Sequence, residues 1–172
     1  PRTLSIKTAH RLSKETVCYP CLIKPQLSAK ASKDNFRICH NSVELQEALQ
    51  SVSKECNNVV VQELIIPDYE YLIYGVRKPT GEIIIPGGLR KMHTYDSCNN
   101  MGMMTYGYYS AEFPPQLGGI DKMETFLQEL DYHGIFSMEF LITKDKAYFL
   151  EINLRNDGTL YCTTQAGINI PA

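Results

Sequence analysis

The amino-acid sequence predicts an α+β fold with two subdomains and mainly antiparallel sheets. Residues 19–67 follow the order strand, loop, strand, helix and strand, which makes one small lobe. Residues 69–112 and 135–154 are rich in strand patterns joined by short turns, and short connections favour antiparallel neighbours. We therefore predict a small lobe over residues 1–62 and a large lobe over residues 63–172.

Composition places the chain among globular proteins and argues against several functions. Its 172 residues and 44% apolar content suit one domain or an intimate pair of subdomains. The net charge of −2, without a basic stripe, gives no support for nucleic-acid binding. No apolar run approaches the ~20 residues of a membrane helix, and the N-terminus lacks a signal-peptide pattern, so we expect no membrane association.

The six cysteines favour a reducing, cytoplasmic environment, because disulfide scaffolds are usually shorter and richer in cysteine. Cys18 and Cys21 have the spacing of a zinc or redox pair, but no second pair accompanies them. Buried or incidental thiols are the favoured interpretation, and zinc or redox chemistry stays open. The chain starts without a methionine and stops in mid-pattern. We interpret it as a fragment, with the small lobe incomplete at its N-terminal end and the large lobe open to truncation at its C-terminal end.

The small lobe is predicted to begin with a strand at residues 2–6, followed by a short apolar strand at residues 19–25. The second strand carries Lys24 just before Pro25, and a lysine at the end of a buried strand is unfavourable unless it meets an anion. Residues 26–33 are small and polar with two lysines. This composition suits a mobile loop over a phosphate or, equally, a flexible surface hairpin.

A helix and two further strands complete the small lobe. Residues 36–40 alternate as a strand, and Asn41 with Glu44 three residues later resembles a capping box at a helix start. The β-branched run at residues 59–67 indicates a buried strand that leads into the next lobe. Backbone groups left unpaired near Glu63, at this crossing, could bind an adenine edge. The helix itself is predicted from apolar residues at helical spacing, namely Leu45, Ala48, Leu49 and Val52.

The large lobe is predicted as a series of antiparallel strands with an amphipathic helix at residues 121–132. Arg90 and Lys91 are neighbours on one strand and should face opposite ways. Residues 93–104 are expected to form an irregular loop, and a last helix should start near Thr159. The predicted strands cover residues 69–77, 83–86, 87–92, 105–112, 135–143 and 146–154.

The last of these strands has one polar face. Because side chains alternate along a strand, Glu151, Asn153 and Arg155 should project to one side. An ordinary half-buried strand with a solvated face is the alternative interpretation. The other side should point into a core and consists of Leu150, Ile152 and Leu154.

A turn at Lys144 and Asp145 gives that polar face a partner. A hairpin that turns there places Glu139 opposite Glu151, within one residue of register. Two opposed carboxylates destabilise a sheet unless a cation lies between them or one of them is protonated. With Asn153 beside them, an oxygen-only Mg²⁺ site is the favoured interpretation, and two solvated carboxylates are the alternative.

Four motifs follow one another along the chain: Pro-x-Leu-Ile-Lys-Pro at residues 20–25, Val-Val-Val-Gln-Glu-Leu-Ile at residues 59–65 with Glu70 beyond it, the lone Glu139, and Glu-Ile-Asn-x-Arg at residues 151–155. In this order and spacing they resemble the ATP-grasp superfamily. The similarity is to its carbamoyl-phosphate-synthase-like and carboxylate–amine ligase branches, and it covers roughly residues 17–170.

The resemblance implies an ATP-grasp fold in which two lobes enclose a nucleotide cleft. It assigns contact with the ATP phosphates to Lys24 and, because the usual loop glycines are missing, to Ser28 and Lys30. Glu70 would hold the ribose. The adenine hinge would consist of Gln62, Glu63, Leu64 and Ile65.

The resemblance also implies a metal site and basic residues at the reacting phosphate. One or two Mg²⁺ ions, with Mn²⁺ as an alternative, would bridge the phosphates of ATP. Arg155 would steady the transferring phosphoryl group, and Arg90 or Lys91 would face the γ-phosphate. The metal ligands would be Glu139, Glu151 and Asn153.

The implied chemistry is phosphorylation of a small-molecule carboxylate by ATP, followed by attack of an amine on the acyl phosphate. An earlier lysine of the family would belong to an N-terminal domain of the same full-length chain, and a homodimer is left open. A nucleotide-binding module without ligase turnover, with a regulatory or structural role, is the alternative. A plain α+β domain whose acidic strand pair is fortuitous is the third possibility. The sequence does not identify the carboxylate or the amine.

Overall fold

The structure is a computed structural model, and it describes residues 1–7, 17–26, 36–52, 56, 58–92, 106–156 and 158–170. The chain divides into two compact units, Pro1–Ile65 and Ile66–Ala172. The lobe boundary that we placed after residue 62 stays a prediction. The predicted loops at residues 26–33 and 93–104 lie largely outside the described residues.

The first unit contains an antiparallel four-stranded sheet and one helix. The strand order is β1-β4-β2-β3, so the first strand pairs with the last. The elements are β1 (Thr3–Lys7), β2 (Cys21–Pro25), β3 (Arg37–Cys39), α1 (Ser42–Val52) and β4 (Asn58–Glu63).

One face of this sheet is the core of the first unit. Cys21 and Ile23 on β2, with Val59 and Val61 on β4, are almost fully buried, as are the helix residues that pack on them, Leu45, Ala48 and Val52. Asn41 caps the start of α1, because its Oδ1 accepts hydrogen bonds from the amides of Val43 and Glu44, each at 3.0 Å. The predicted cap is confirmed, except that Glu44 reaches back to the amide of His40 at 2.8 Å.

The second unit contains an antiparallel five-stranded sheet in the order β7-β6-β5-β8-β9. The predicted α+β class with two mainly antiparallel sheets is therefore confirmed. Its elements are β5 (Tyr69–Arg77), β6 (Ile83–Met92), β7 (Tyr106–Ser110), α2 (Asp121–Glu129), β8 (Gly134–Ile142), β9 (Ala147–Asn153) and α3 (Tyr161–Gln165).

The two faces of the second sheet are covered by different helices. On one face α2 packs its buried Met123 and Leu127 against a core that includes Tyr71, Ile73 and Phe136. The other face carries Leu72, Tyr74 and Leu89, which pack against Leu160 at the start of α3. We call the first face the α2 face and the second the α3 face.

Two sequence predictions about this sheet need correction. The strands predicted at residues 83–86 and 87–92 are one continuous strand, β6, with a register shift opposite Tyr74 and Val76. Leu150 does not point into a core and is 46% exposed, because a bulge between Glu139 and Phe140 leaves it without a partner on β8.

Two further features of the described residues bear on the sequence predictions. Leu154 was expected in the core but is 42% exposed, because β9 ends one residue before it. None of the described helices is both long and apolar enough to span a membrane.

We predict that Leu127→Ala lowers the free energy of unfolding by about 2–5 kcal/mol, because it leaves a cavity under α2. Leu127 is 0% exposed and belongs to the core on the α2 face. Pulse proteolysis of the full-length protein in urea measures the change. Lys122→Ala, at an exposed position of the same helix, should stay within about 0.5 kcal/mol of wild type. Equal effects of the two substitutions would contradict the assigned packing.

Candidate active site

Charged side chains collect at one end of the α3 face. Lys91 on β6 pairs with Glu70 on β5, and Leu72 on β5 pairs with Glu139 on β8. Glu139 in turn pairs with Glu151 on β9, which confirms the predicted hairpin register. Because cross-strand partners share a face, Lys91 and the three glutamates project to the same side of the sheet. We call Lys91, Glu70, Glu139 and Glu151 the Lys91 cluster.

Lys91 lies between two of these carboxylates. Its Nζ is 3.0 Å from Oε2 of Glu139 and 3.2 Å from Oε2 of Glu70. The side chain of Lys91 is only 7% exposed, and each of the two carboxylate side chains is 15% exposed. A buried ammonium needs such partners, because burial of an unpaired charge strongly destabilises a fold.

The Lys91 cluster contains three carboxylates and one ammonium, and the pKa values of Lys91 and Glu139 are both shifted. Burial alone would lower the pKa of Lys91, but the carboxylates of Glu139 and Glu70 outweigh it, so the pKa lies above its usual value. Burial raises the pKa of the Glu139 carboxyl, Lys91 opposes the rise, and the charges of Glu151 and Glu70 add to it. On balance the pKa of Glu139 is raised, chiefly because burial disfavours the charged carboxylate and secondarily because Glu151 and Glu70 are close to it.

Asn153, at the end of β9, is half-buried beside the cluster. Arg155, expected on the polar face of this strand, lies beyond its end and is exposed. Asn153 donates from Nδ2 to Oε1 of Glu151 at 3.2 Å. The guanidinium of Arg155 is 3.5 Å from Oδ1 of Asn153 and donates to the carbonyl of Asn156 at 3.1 Å. A hydrogen bond between the hydroxyls of Tyr74 and Thr159 ties the following segment to the α3 face. Hydrogen bonds therefore connect Glu151, Asn153 and Arg155 in one row.

Arg90 is not part of this cluster. It pairs with Tyr71 on β5 and Tyr108 on β7, on the α2 face, and its guanidinium carbon lies 3.9 Å from the centre of the Tyr69 ring. The predicted opposite orientation of Arg90 and Lys91 is confirmed. Of the two residues proposed for the γ-phosphate, the structure brings only Lys91 to the carboxylates.

The first unit places Lys24 and Gln62 on the sheet face opposite α1. Lys24 pairs with Val60, and Leu22 pairs with Gln62, so these side chains share the face that α1 does not cover. All four are half-buried. Gln62 donates from Nε2 to the hydroxyl of Thr3 at 2.9 Å. Lys24 and Gln62 are therefore held on a common, half-buried surface.

The predicted adenine hinge differs from expectation in its backbone. We expected unpaired groups where β4 ends, but the amide of Glu63 donates to the carbonyl of Arg2 at 2.9 Å, and that of Leu64 donates to the carbonyl of Pro20 at 3.0 Å. The Glu63 carboxylate accepts the amide of Arg2 at 3.1 Å. The expectation is wrong for these two amides because β1 and the segment before β2 supply partners. Ile65 is half-buried at the end of the unit.

The remaining sequence predictions concern two phosphate contacts and the cysteine pair Cys18–Cys21. Ser28 and Lys30 lie outside the described residues. Cys21 is buried and pairs across the sheet with Cys39 rather than with Cys18. Burial raises the pKa of both thiols, that of Cys39 to about 12, which suits packing and not thiolate chemistry.

The contact between Glu70 and Lys91 was missed at the sequence level. The signal was present, because the turn at residues 78–82 joins β5 to β6 as the turn at Lys144 joins β8 to β9. The same register count applied to that hairpin puts Glu70 within a residue of Lys91. The family resemblance assigns Glu70 to the ribose, and this role stays a prediction.

Comparison with known proteins shows which family this architecture belongs to. The model of the ATP-grasp domain family matches residues 1–168. The chain belongs to the ATP-grasp family. This match spans both sheets and includes the Lys91 cluster.

Two curated relatives illustrate the sequence similarity of this ATP-grasp chain. It is 27% identical over 150 residues to the formate-dependent phosphoribosylglycinamide formyltransferase of a Nitratiruptor species, covering 84% of this chain and 36% of the relative. It is also 27% identical over 147 residues to the D-alanine–D-alanine ligase of Petrotoga mobilis, covering 78% and 46%. The chain thus spans less than half the length of these relatives.

Solved structures share the fold of the ATP-grasp chain. The N5-carboxyaminoimidazole synthetase of Staphylococcus aureus, complexed with ADP, matches with a TM-score of 0.72 and 18% identity over 95% of this chain and 42% of that one. The biotin carboxylase domain dimer of the Hydrogenobacter thermophilus 2-oxoglutarate carboxylase, with MgADP and bicarbonate, matches at 0.64 and 20% identity over 90% and 35%. At these identities the likeness concerns the fold.

The donor set of the ATP-grasp chain fits Mg²⁺ bound together with a phosphate ligand. Within the part of the chain that the structure describes, no three His, Cys, Asp or Glu side chains are arranged to hold a metal by themselves. Mg²⁺ does not need such a cage, because it usually binds one or two carboxylates and completes its shell with water and substrate phosphates. The facing carboxylates of Glu139 and Glu151, with the amide of Asn153 beside them, meet that requirement.

We predict that Lys91→Met lowers the free energy of unfolding by about 3–5 kcal/mol at neutral pH, because it leaves two buried carboxylates without their ammonium. The double variant Lys91→Met/Glu70→Gln should lose less, since only one of the two stays charged and unpaired. Urea unfolding of the full-length proteins, followed by pulse proteolysis, measures both.

The matched control is Lys78→Met, which removes an exposed lysine that pairs with Glu82 at 2.9 Å. An exposed ion pair is worth about 0–1 kcal/mol, so this variant should stay close to wild type. A loss at Lys91 no larger than the loss at Lys78 would show that the buried ion pairs do not stabilise the fold as described.

Proposed function

We propose that the chain is the core of an ATP- and Mg²⁺-dependent ligase that activates a carboxylate as an acyl phosphate for attack by an amine. The observation that carries this proposal is the Lys91 cluster, a buried lysine among three glutamates on one face of a family-matched sheet. Lys91, Glu70 and Glu139 are largely buried, and the exposed Glu151 leaves the set with a net negative charge. A divalent cation complements this charge, and phosphates could join it through the cation and the Lys91 ammonium.

In this proposal, contact with the phosphates of ATP is assigned to Lys24, Lys91 and Arg155. Lys24 lies half-buried on the face of the first sheet that α1 does not cover, where an anionic ligand would satisfy its charge. Lys91 would donate to the γ-phosphate, and Arg155, exposed beyond the end of β9, would steady the phosphoryl group as it transfers. These roles need only positioned donors, because phosphoryl transfer depends on orientation and charge neutralisation rather than on a protein nucleophile.

Glu139, Glu151 and Asn153 would hold Mg²⁺, and Mn²⁺ could replace it. When bound, the metal would neutralise charge on the phosphates. The sheet register keeps Glu139 and Glu151 opposite each other, and Asn153 orients Glu151 through their hydrogen bond. The adenine would lie along the hinge formed by Gln62, Glu63, Leu64 and Ile65. Glu70 would accept hydrogen bonds from the ribose hydroxyls. Ser28 and Lys30 would complete the phosphate contacts.

The names of the relatives support a reaction at a carboxylate. One relative is formate-dependent, and another joins D-alanine to D-alanine, so each uses a small carboxylate. This chain spans less than half of either relative, so the carboxylate and the amine are assigned here only by chemical class. The N-terminal domain, the homodimer and the cytoplasmic location stay predictions.

We predict that Mg²⁺ and ATP together raise the melting temperature of the full-length protein, and that Glu151→Gln removes the rise, because the metal loses one of its two carboxylates. Differential scanning fluorimetry with ATP, Mg²⁺ and both together measures it. Glu129→Gln, an exposed glutamate on α2, should behave as wild type. A full Mg²⁺-ATP shift in the Glu151 variant would show that the metal site is wrongly assigned.

We also predict that the full-length protein releases ADP and phosphate only when a suitable carboxylate and amine are present. A coupled assay across a panel of amino acids and small carboxylates would reveal the pair. Turnover with at least one pair is the expected result. Mg²⁺-dependent ATP binding without turnover on any pair would instead support the alternative of a nucleotide-binding module.

A further inference from the structure

The Lys91 cluster already contains a cation. The ammonium of Lys91 contacts Oε2 of Glu139 at 3.0 Å, and Glu139 is one of the two carboxylates that face each other across β8 and β9. A divalent metal between Glu139 and Glu151 would need the oxygens of the same carboxylate. Lys91 and the metal therefore meet at one side chain.

Two cations at one carboxylate repel each other. At a given separation a divalent ion feels twice the repulsion from the ammonium that a monovalent ion would, and the repulsion grows as the surroundings become less polar. The 7% exposure of the Lys91 side chain leaves little water to screen the repulsion. Tight metal binding at Glu139 therefore requires the ammonium to move away from it.

Glu70 gives Lys91 a second place within the fold. Glu70 and Lys91 are direct cross-strand partners, and the ammonium is already 3.2 Å from Oε2 of Glu70. A shift of the lysine toward Glu70 keeps its charge paired and does not bring it into water. The phosphates of a nucleotide would provide a further partner on the same face.

We propose that Lys91 competes with the divalent metal for Glu139, and that Glu70 is the positioning residue that retains the ammonium when the metal takes that carboxylate. The metal then binds weakly to the nucleotide-free protein and tightly once phosphates draw Lys91 away from Glu139. This inference rests on the proposed function and describes how the same site couples metal to nucleotide.

The test is a Mn²⁺ titration of the full-length protein without nucleotide, in which electron paramagnetic resonance measures free Mn²⁺. The variant Lys91→Met/Glu70→Gln removes the competitor and one carboxylate, so its net charge equals that of wild type. Its Kd for Mn²⁺ should fall by about tenfold, because the repulsion at Glu139 is gone. Adding Glu151→Gln to this variant should abolish the gain, which assigns the bound ion to this site.

The matched control is Lys78→Met/Glu82→Gln, which removes the same residue types from the exposed ion pair of the β5–β6 turn. Its Kd for Mn²⁺ should equal that of wild type. A folded Lys91→Met/Glu70→Gln variant that binds Mn²⁺ no more tightly than wild type overturns the proposal. A gain of the same size in the control would also overturn it.

If the double variant does not fold, the single variant Glu70→Gln replaces it in the Mn²⁺ titration. This variant keeps the ion pair between Lys91 and Glu139. Glu139 is then the one carboxylate that pairs with Lys91 among its described partners, so Mn²⁺ binding without nucleotide should weaken more than it does in Glu82→Gln, which loses a carboxylate in the β5–β6 turn. Equal effects of the two single variants overturn the proposal.

The two proposals fail in different ways. Absence of a Mg²⁺-ATP shift in the wild-type melt counts against the proposed function, whereas the Mn²⁺ titration involves no nucleotide. A wild-type protein that binds Mg²⁺-ATP, with no Mn²⁺ gain in the folded double variant, would leave the function standing and remove the competition.

Discussion

The buried ammonium of Lys91 holds together the charged end of the five-stranded sheet. Lys91 on β6 reaches Glu70 on β5 and Glu139 on β8, so it joins three strands through two ion pairs. Without it, the carboxylates on this face would repel one another in a partly desolvated place. The facing glutamates that suit a metal can coexist in the free protein because this lysine reduces their mutual repulsion.

Side-chain alternation explains why the site and the core do not interfere. Arg90 and Lys91 are consecutive, yet one stacks on Tyr69 on the α2 face and the other lies among carboxylates on the α3 face. A slip of one residue in the register of β6 would exchange them and bury Arg90 among the glutamates. The core that α2 builds around Leu127 therefore also protects the geometry of the charged face.

Local pairing could be predicted from the sequence, and distant pairing could not. The hairpin count placed Glu139 opposite Glu151 because only a short turn separates their strands. The bulge at Leu150 has no signal in the sequence, because Phe149 and Leu150 are both apolar and either could be the unpaired residue. The partners of the Glu63 and Leu64 amides come from Arg2 and Pro20, which are remote in sequence.

The two units share one arrangement of helix, sheet and lysine. In each, a helix covers one face of an antiparallel sheet, and the lysine proposed to meet phosphate lies on a face which that helix does not cover: Lys24 opposite α1, and Lys91 opposite α2. The sheets thereby hold the charges on rigid strands while the helices complete the cores. The two lysines differ in one respect that matters for chemistry. Lys91 has carboxylate partners within its own unit, so a phosphate ligand would have to compete with them for the ammonium, which is the basis of the proposed coupling between nucleotide and metal.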